Sequence, residues 1–234
     1  TLNLRGTDVE CNPVALSYAY ITKDEFYLFA QEKEITQEVR DYCDKVSITL
    51  RDYQGLGKFL SELKPEGDIL YDKRNTNFYT YKALYSKASE CKVELINEKN
   101  PTELMKAVKN ETELKNIREV YLRDSAKLTE FIYWVKTNVG KIPMTEYTAA
   151  MKLDGMRAEL PGFIELSFPT ISAYNANAAM AHYEATSESA AEVKTEGMLL
   201  VDSGGTYMGG TTDVTRTIVV GAISDEIKRH YTAT

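Results

Sequence analysis

Residues 197–221 read GMLLVDSGGTYMGGTTDVTRTIVVG. Two apolar runs flank a glycine-rich centre, and each carries one aspartate, Asp202 and Asp213. Side chains alternate along a strand, so Met198, Leu200 and Asp202 share one face of the first run. Asp213, Thr215, Thr217 and Val219 share one face of the second. A hairpin folded about Gly204, Gly205, Gly209 and Gly210 can bring both carboxylates to the same side of a sheet. Two carboxylates held close together repel unless positive charge lies between them. A pair of divalent metal ions is the simplest such charge, and hard cations favour oxygen ligands. Asp and Gly are also ordinary turn residues, so DSGG alone says little. The whole pattern says more, because a turn needs neither an aspartate in each strand nor the polar run TTDVTRT.

Twenty residues before Asp202 stands His182, in AAMAHYEA. This run reads as a strand, like SFPTISA before it and GMLLVDSGG after it, with Asn- and Ser-rich turns between them. A histidine in an apolar strand is ordinarily a satisfied core residue. Its neighbours Asn175, Asn177 and Glu184 are polar, however, which also suits a general acid or a hydrogen-bond donor to a substrate carbonyl. His230, in KRHY, reads as a solvated helix residue. With two histidines in all, a metal site of three histidines is excluded for this chain alone.

Composition narrows the classes. The chain has 234 residues, a size comfortable for two domains, with 43% hydrophobic and 27% charged residues, an ordinary globular mix. A net charge of −7 argues against nucleic acid or an anionic membrane as partner. No run of 18 apolar residues offers a membrane span. The opening TLNLRGTDVE lacks a basic start followed by an apolar core, so no secretory signal is expected. Cys11, Cys43 and Cys91 are widely spaced and odd in number, which predicts free thiols in a reducing cytoplasm.

Residues 1–100 alternate strand and helix, predicting an α/β domain. ALSYAYIT and EFYLFA form a hairpin around Thr22 to Asp24, SITL and Asp68 to Tyr71 are short strands, and CKVELI closes the unit. YQGLGKFLSELK is a helix with Leu56, Phe59, Leu60 and Leu63 on one face. Asn75 to Leu84 is also helical. The polar, proline-containing INEKNP marks a boundary near residue 100. In residues 101–234, Asn110 and Glu113 make a capping box before a long helix that Gly140 and Pro143 end. Thr145 caps a second helix reaching Leu160. From Phe168 the period changes to that of strands. Ser224 opens a last helix. Both ends are read as cut within structure, so the chain is expected to be a fragment.

SFPTISAYNANAAMAHYEAT followed by EGMLLVDSGGTYMGGTTDVTRTIVVG closely resembles the Xaa-Pro aminopeptidases of the pita-bread metallopeptidase superfamily. LNLRGTDVECNPV resembles the middle, creatinase-like domain of their long cytosolic three-domain form, and AVKNETELKNIREVYLRDSAKL the first helix of the catalytic domain. The resemblance implies an α/β creatinase-like domain followed by an incomplete α+β pita-bread domain. It implies two divalent ions, manganese first and zinc or cobalt as alternatives. Asp202 matches a ligand that binds one ion through both oxygens, and Asp213 one that bridges both ions. His182 matches a histidine that contacts substrate or helps proton transfer. The family's metal-binding histidine and two glutamates lie downstream of the second aspartate and have no counterparts in these residues.

The implied reaction releases an N-terminal residue when proline follows it, a tertiary amide without an N–H. The implied partners are such peptides, with no nucleic acid and no membrane, and a homodimer as the intact enzyme. Three alternatives stay open: an Xaa-Pro dipeptidase of the same superfamily, a non-catalytic pita-bread binding module, and a structural fragment completed by a partner. The chain by itself is expected to be inactive.

Overall fold

The computed structural model describes residue 2 and residues 4–234. Thr1 and Asn3, in the opening stretch TLNLRGTDVE, lie outside them. The chain forms two compact units, Thr1–Val9 with Pro13–Lys109, and Glu10–Asn12 with Asn110–Thr234.

In the first unit the expected hairpin is present. β1 (Ser17–Ile21) and β2 (Phe26–Ala30) are antiparallel, and Thr22 Oγ1 accepts from the N–H groups of Asp24 and Glu25 to close the turn. α1 (Gln37–Lys45), capped by Thr36, is a helix the sequence pattern did not announce. β3 (Thr49–Asp52) then lies parallel to β2. α2 (Leu56–Glu62) buries Leu56 and Leu60, and Leu63 follows them into the core. Phe59 packs against the rings of Tyr20, Tyr27 and Phe29.

β4 (Ile69–Tyr71) continues through α3 (Phe78–Cys91) into β5 (Leu95–Asn97), a parallel βαβ unit. CKVELI is therefore only partly a strand. Cys91 ends α3, Lys92 adopts a left-handed conformation with φ +59°, and extended structure begins at Leu95. α4 (Pro101–Ala107) is capped by Asn100 and starts with a proline. It belongs with the first unit, so the division falls between Lys109 and Asn110, somewhat beyond the boundary expected near residue 100.

The second unit opens with α5 (Glu111–Asn138). Its capping box is complete: Asn110 Oδ1 accepts from the Glu113 N–H, and Glu113 Oε2 from the Asn110 N–H. Gly140, at φ +73°, turns the chain into α6 (Glu146–Ala158), capped by Thr145. Strand structure starts earlier than Phe168, with β6 (Phe163–Leu166), and continues in β7 (Ile171–Tyr174). β8 (Met198–Ser203), β9 (Gly205–Tyr207), β10 (Gly210–Thr211) and β11 (Val214–Val219) follow, and α7 (Asp225–Ala233) is capped by Ser224.

The last four strands are one long hairpin. Ser203 pairs with Val214, and the same register continues to Thr206 with Thr211 and Tyr207 with Gly210. Its body joins β7 in a sheet ordered β11-β8-β7, and its tip joins β6 in a sheet ordered β10-β9-β6. Leu128, Phe131 and Val135 of α5, with Ala149, Leu153 and Met156 of α6, pack against Tyr174, Leu199, Val201 and Ile218. One face of the β7–β8–β11 sheet is thereby committed to the core. The other face is partly exposed.

Candidate metal centre

Asp202 sits on the central strand of its sheet, between Ile171 on β7 and Thr215 on β11. Leu199, Val201 and Ser203 point into the core and are fully buried, so the pleat sends Asp202 to the opposite face, where it is half-buried. The face sets expected from the sequence meet across this register: Asp202 opposite Thr215, Leu200 opposite Thr217, Met198 opposite Val219. Thr215 Oγ1 donates a 2.7 Å hydrogen bond to Asp202 Oδ1.

Asp213 lies one residue before β11 and two before Thr215, opposite Gly204 in the continuing register, and is exposed. Thr212 beside it is fully buried. Diagonal positions of an antiparallel pair lie about 7–8 Å apart. Among the described residues, no three His, Cys, Asp or Glu side chains are grouped as a metal site.

Gly204 is where the hairpin passes from one sheet to the other. A Cβ there would overlap the Thr212 carbonyl oxygen and Ser167 Oγ. Ser167 holds the crossing from both sides, donating through Oγ to the Thr212 carbonyl at 2.9 Å and through its N–H to the Gly204 carbonyl. The glycine at this point is thus required for close approach of backbone to backbone. The tip is tied down further out. Tyr207 donates through its hydroxyl to Asp124 Oδ1 at 2.6 Å, and Arg157 makes a two-point contact to the same carboxylate through Nε and Nη2. Burial first, then the neighbouring Asp124 carboxylate, push the Tyr207 hydroxyl well above its usual value.

His182 is not on a strand. The segment after β7 forms a 3-10 turn over Asn175–Ala179 and then an irregular loop, in which His182 has φ +57° and is exposed. The expectation of a strand over AAMAHYEA is corrected on physical grounds: a left-handed residue cannot continue a β-ladder. On either side of His182, the side chains of Asn177 and Tyr183 donate to Glu146 at the head of α6. No hydrogen bond joins His182 to Asp202 or Asp213 among the described residues. Thr215, Glu146 and Tyr183 are the contributors that spacing did not single out. Thr215 had a signal in its shared face with Asp213. Glu146 reads in sequence only as a favourable first-turn acid.

Residues 115–234 match the metallopeptidase family M24, and residues 1–113 match the creatinase/prolidase N-terminal domain. A probable Xaa-Pro aminopeptidase P of Pyricularia oryzae is 34% identical over 241 residues, 98% of this chain and 39% of that protein. Xaa-Pro aminopeptidase 1 of Dictyostelium discoideum is 35% identical over 225 residues, 94% of this chain and 34% of that protein. The X-prolyl aminopeptidase of Caenorhabditis elegans, described as a cytosolic enzyme with a di-nuclear active site, matches with a TM-score of 0.88 at 28% identity. That match covers 98% of this chain and 38% of the solved one. The chain thus spans from 34% to 39% of the length of these relatives.

Proposed function

The chain belongs to metallopeptidase family M24, its pita-bread catalytic part preceded by a creatinase-type domain, and we propose that the protein it forms part of is a metallo-aminopeptidase releasing the N-terminal residue from peptides with proline in second position. The observation that carries this reading is the Asp202–Thr215 pairing, with Asp213 two residues along the same strand direction, in a chain whose relatives bear that activity in their names.

Asp202 and Asp213 are the residues that would hold a pair of divalent ions. Asp202 suits the role because Thr215 fixes Oδ1 while Oδ2 accepts no hydrogen bond among the described residues. When bound, such ions would make bound water more acidic and polarise the scissile carbonyl. Manganese is the proposed metal, with zinc and cobalt as alternatives. Two carboxylates supply only part of a shell of about six oxygens, so the remaining ligands would come from beyond these 234 residues.

His182 would donate to the substrate carbonyl or carry a proton, from an exposed position on a loop fixed at its neighbour Tyr183. The peptide bond before proline has no N–H on its leaving side, so recognition falls on the carbonyl and the free amino terminus. No helix among the described residues is long and apolar enough to cross a membrane. We propose a cytoplasmic homodimer acting on peptides, with no nucleic-acid or membrane partner.

Two measurements test the reading. The full-length protein is expected to cleave Xaa-Pro-Yaa tripeptides in preference to Xaa-Pro dipeptides, and to lose that activity on Asp202→Asn or Asp213→Asn. The 234-residue chain is expected to give no turnover and no tight, stoichiometric heat on calorimetric titration with manganese. Full activity in either aspartate variant would refute the assignment of the site.

A further inference from the structure

We propose that Glu146 is a positioning residue for His182: a buried carboxylate at the head of α6 that ties together the entry, middle and exit of the loop carrying that imidazole. The catalytic consequence rests on the reading of His182 given above, but the positioning itself does not.

Glu146 is fully buried. Its Oε1 accepts from the Tyr174 N–H at 2.6 Å and from Asn177 Nδ2 at 2.9 Å. Its Oε2 accepts from the Tyr183 hydroxyl at 2.7 Å and from the Ala191 N–H at 2.8 Å. Tyr174 is the last residue of β7, Asn177 lies in the 3-10 turn, Tyr183 adjoins His182, and Ala191 is where the chain leaves the loop. Four donors from four points of one loop therefore converge on two oxygens. The exit is fastened again by backbone: the Glu146 N–H donates to the Ala191 carbonyl and the Val193 N–H to the Met144 carbonyl.

Among the described residues, no lysine or arginine pairs with Glu146. A buried carboxylate without a cation is costly unless its oxygens are fully hydrogen-bonded. The N-terminus of α6 adds favourable field. Burial pushes the Glu146 carboxyl upward, but the four hydrogen bonds outweigh it and hold the group below its usual 4.5, so it is ionised at neutral pH. Burial and the Glu146 carboxylate raise the Tyr183 hydroxyl to about 12, which keeps it a donor. Closing a loop needs no buried charge, since apolar packing would serve. What the charge adds is direction. It pins the residue next to His182, and His182 itself holds a left-handed backbone that a residue with a side chain rarely adopts.

The isosteric variant Glu146→Gln separates packing from positioning, because an amide offers acceptors on one side only. Whichever way it turns, one pair of donors faces an NH2 group. The measurement is NMR on the 234-residue chain in a His230→Gln background, which leaves His182 as the single imidazole. Glu146→Gln is expected to shift the His182 ring signals towards free-histidine positions and to speed amide exchange at Tyr174 and Ala191 at least tenfold, with the α6 interior unchanged. Tyr183→Phe removes one donor without touching the carboxylate, and is expected to move the His182 signals in the same direction by less.

Unchanged His182 signals in both variants would overturn the proposal, as would a loss of global stability with those signals intact. In the full-length protein, Glu146→Gln is expected to lower kcat with little change in KM. If Glu146→Gln displaces His182 while His182→Ala leaves turnover intact, the positioning holds and the catalytic reading of His182 fails.

Discussion

Thr215 Oγ1 donates to Asp202 Oδ1 at 2.7 Å across the β8–β11 pair, so the carboxylate is oriented by a neighbour on the adjacent strand. Partners of this kind behind a metal ligand are worth about 10–100-fold in affinity. Thr215→Val keeps the branched shape and removes the hydroxyl. In the full-length protein it is expected to weaken manganese binding by about that factor, read by calorimetric titration. Equal affinity in the variant would show that the hydrogen bond plays no part in holding the ligand.

Gly204 decides whether the hairpin can cross between its two sheets. Any side chain there meets the Thr212 carbonyl and Ser167 at once, and a backbone oxygen cannot swing aside. Gly204→Ala is expected to destabilise the second unit by about 1–3 kcal/mol, the range for overpacking. For a chain of this size that lowers the melting temperature by about 2–4 °C per kcal/mol. Gly67, with open space around its would-be Cβ, is the control: Gly67→Ala should be close to neutral. Similar melting temperatures for the two variants would mean that the hairpin bends elsewhere.

Much of this was legible in local pattern. The Asn110 and Glu113 capping box, the Thr145 and Ser224 caps and the antiparallel pairing around Thr22 are decided within a few residues, and each appears as expected. The faces of Asp202 and Thr215 followed from strand alternation. What was not legible depends on distant partners. AAMAHYEA has strand-like composition, but Tyr183 within it donates to Glu146, which precedes the segment by more than thirty residues. α1 escaped notice because QEVRDYCDK is mostly polar, with Cys43 its single buried residue. Position 146 itself looks like a first-turn acid whether it faces solvent or core.

The ionised state of Glu146 gives the second unit a pH dependence of known sign. The folded group lies below its unfolded 4.5. Its stabilising contribution is therefore complete above pH 4.5 and is lost as pH falls through the lower folded value. Urea unfolding of the wild type and Glu146→Gln should differ by a constant amount from pH 5 to 7, and the gap should close in more acidic solution. A gap that stays constant down to pH 3 would mean that folding leaves the pKa of this carboxyl unchanged.

Arg157 and Asp124 form a pair with neither side chain exposed, and Tyr207 completes it from the hairpin tip. Arg157 Nη1 has no partner among the described residues, so the guanidinium depends heavily on its two bonds to Asp124. Removing one member of such a pair strands the other charge in the core, at a cost of about 3–5 kcal/mol. Asp124→Ala is expected to fall in that range. Tyr207→Phe leaves the ion pair whole and removes one hydrogen bond to a charged group, worth about 1.5–3 kcal/mol. The double change Asp124→Leu with Arg157→Met replaces both charges by apolar groups, and should recover much of the loss that Asp124→Ala incurs. Denaturant unfolding of the three variants orders them. If Asp124→Ala were no more damaging than Tyr207→Phe, the buried charge pair would not be what holds the hairpin tip.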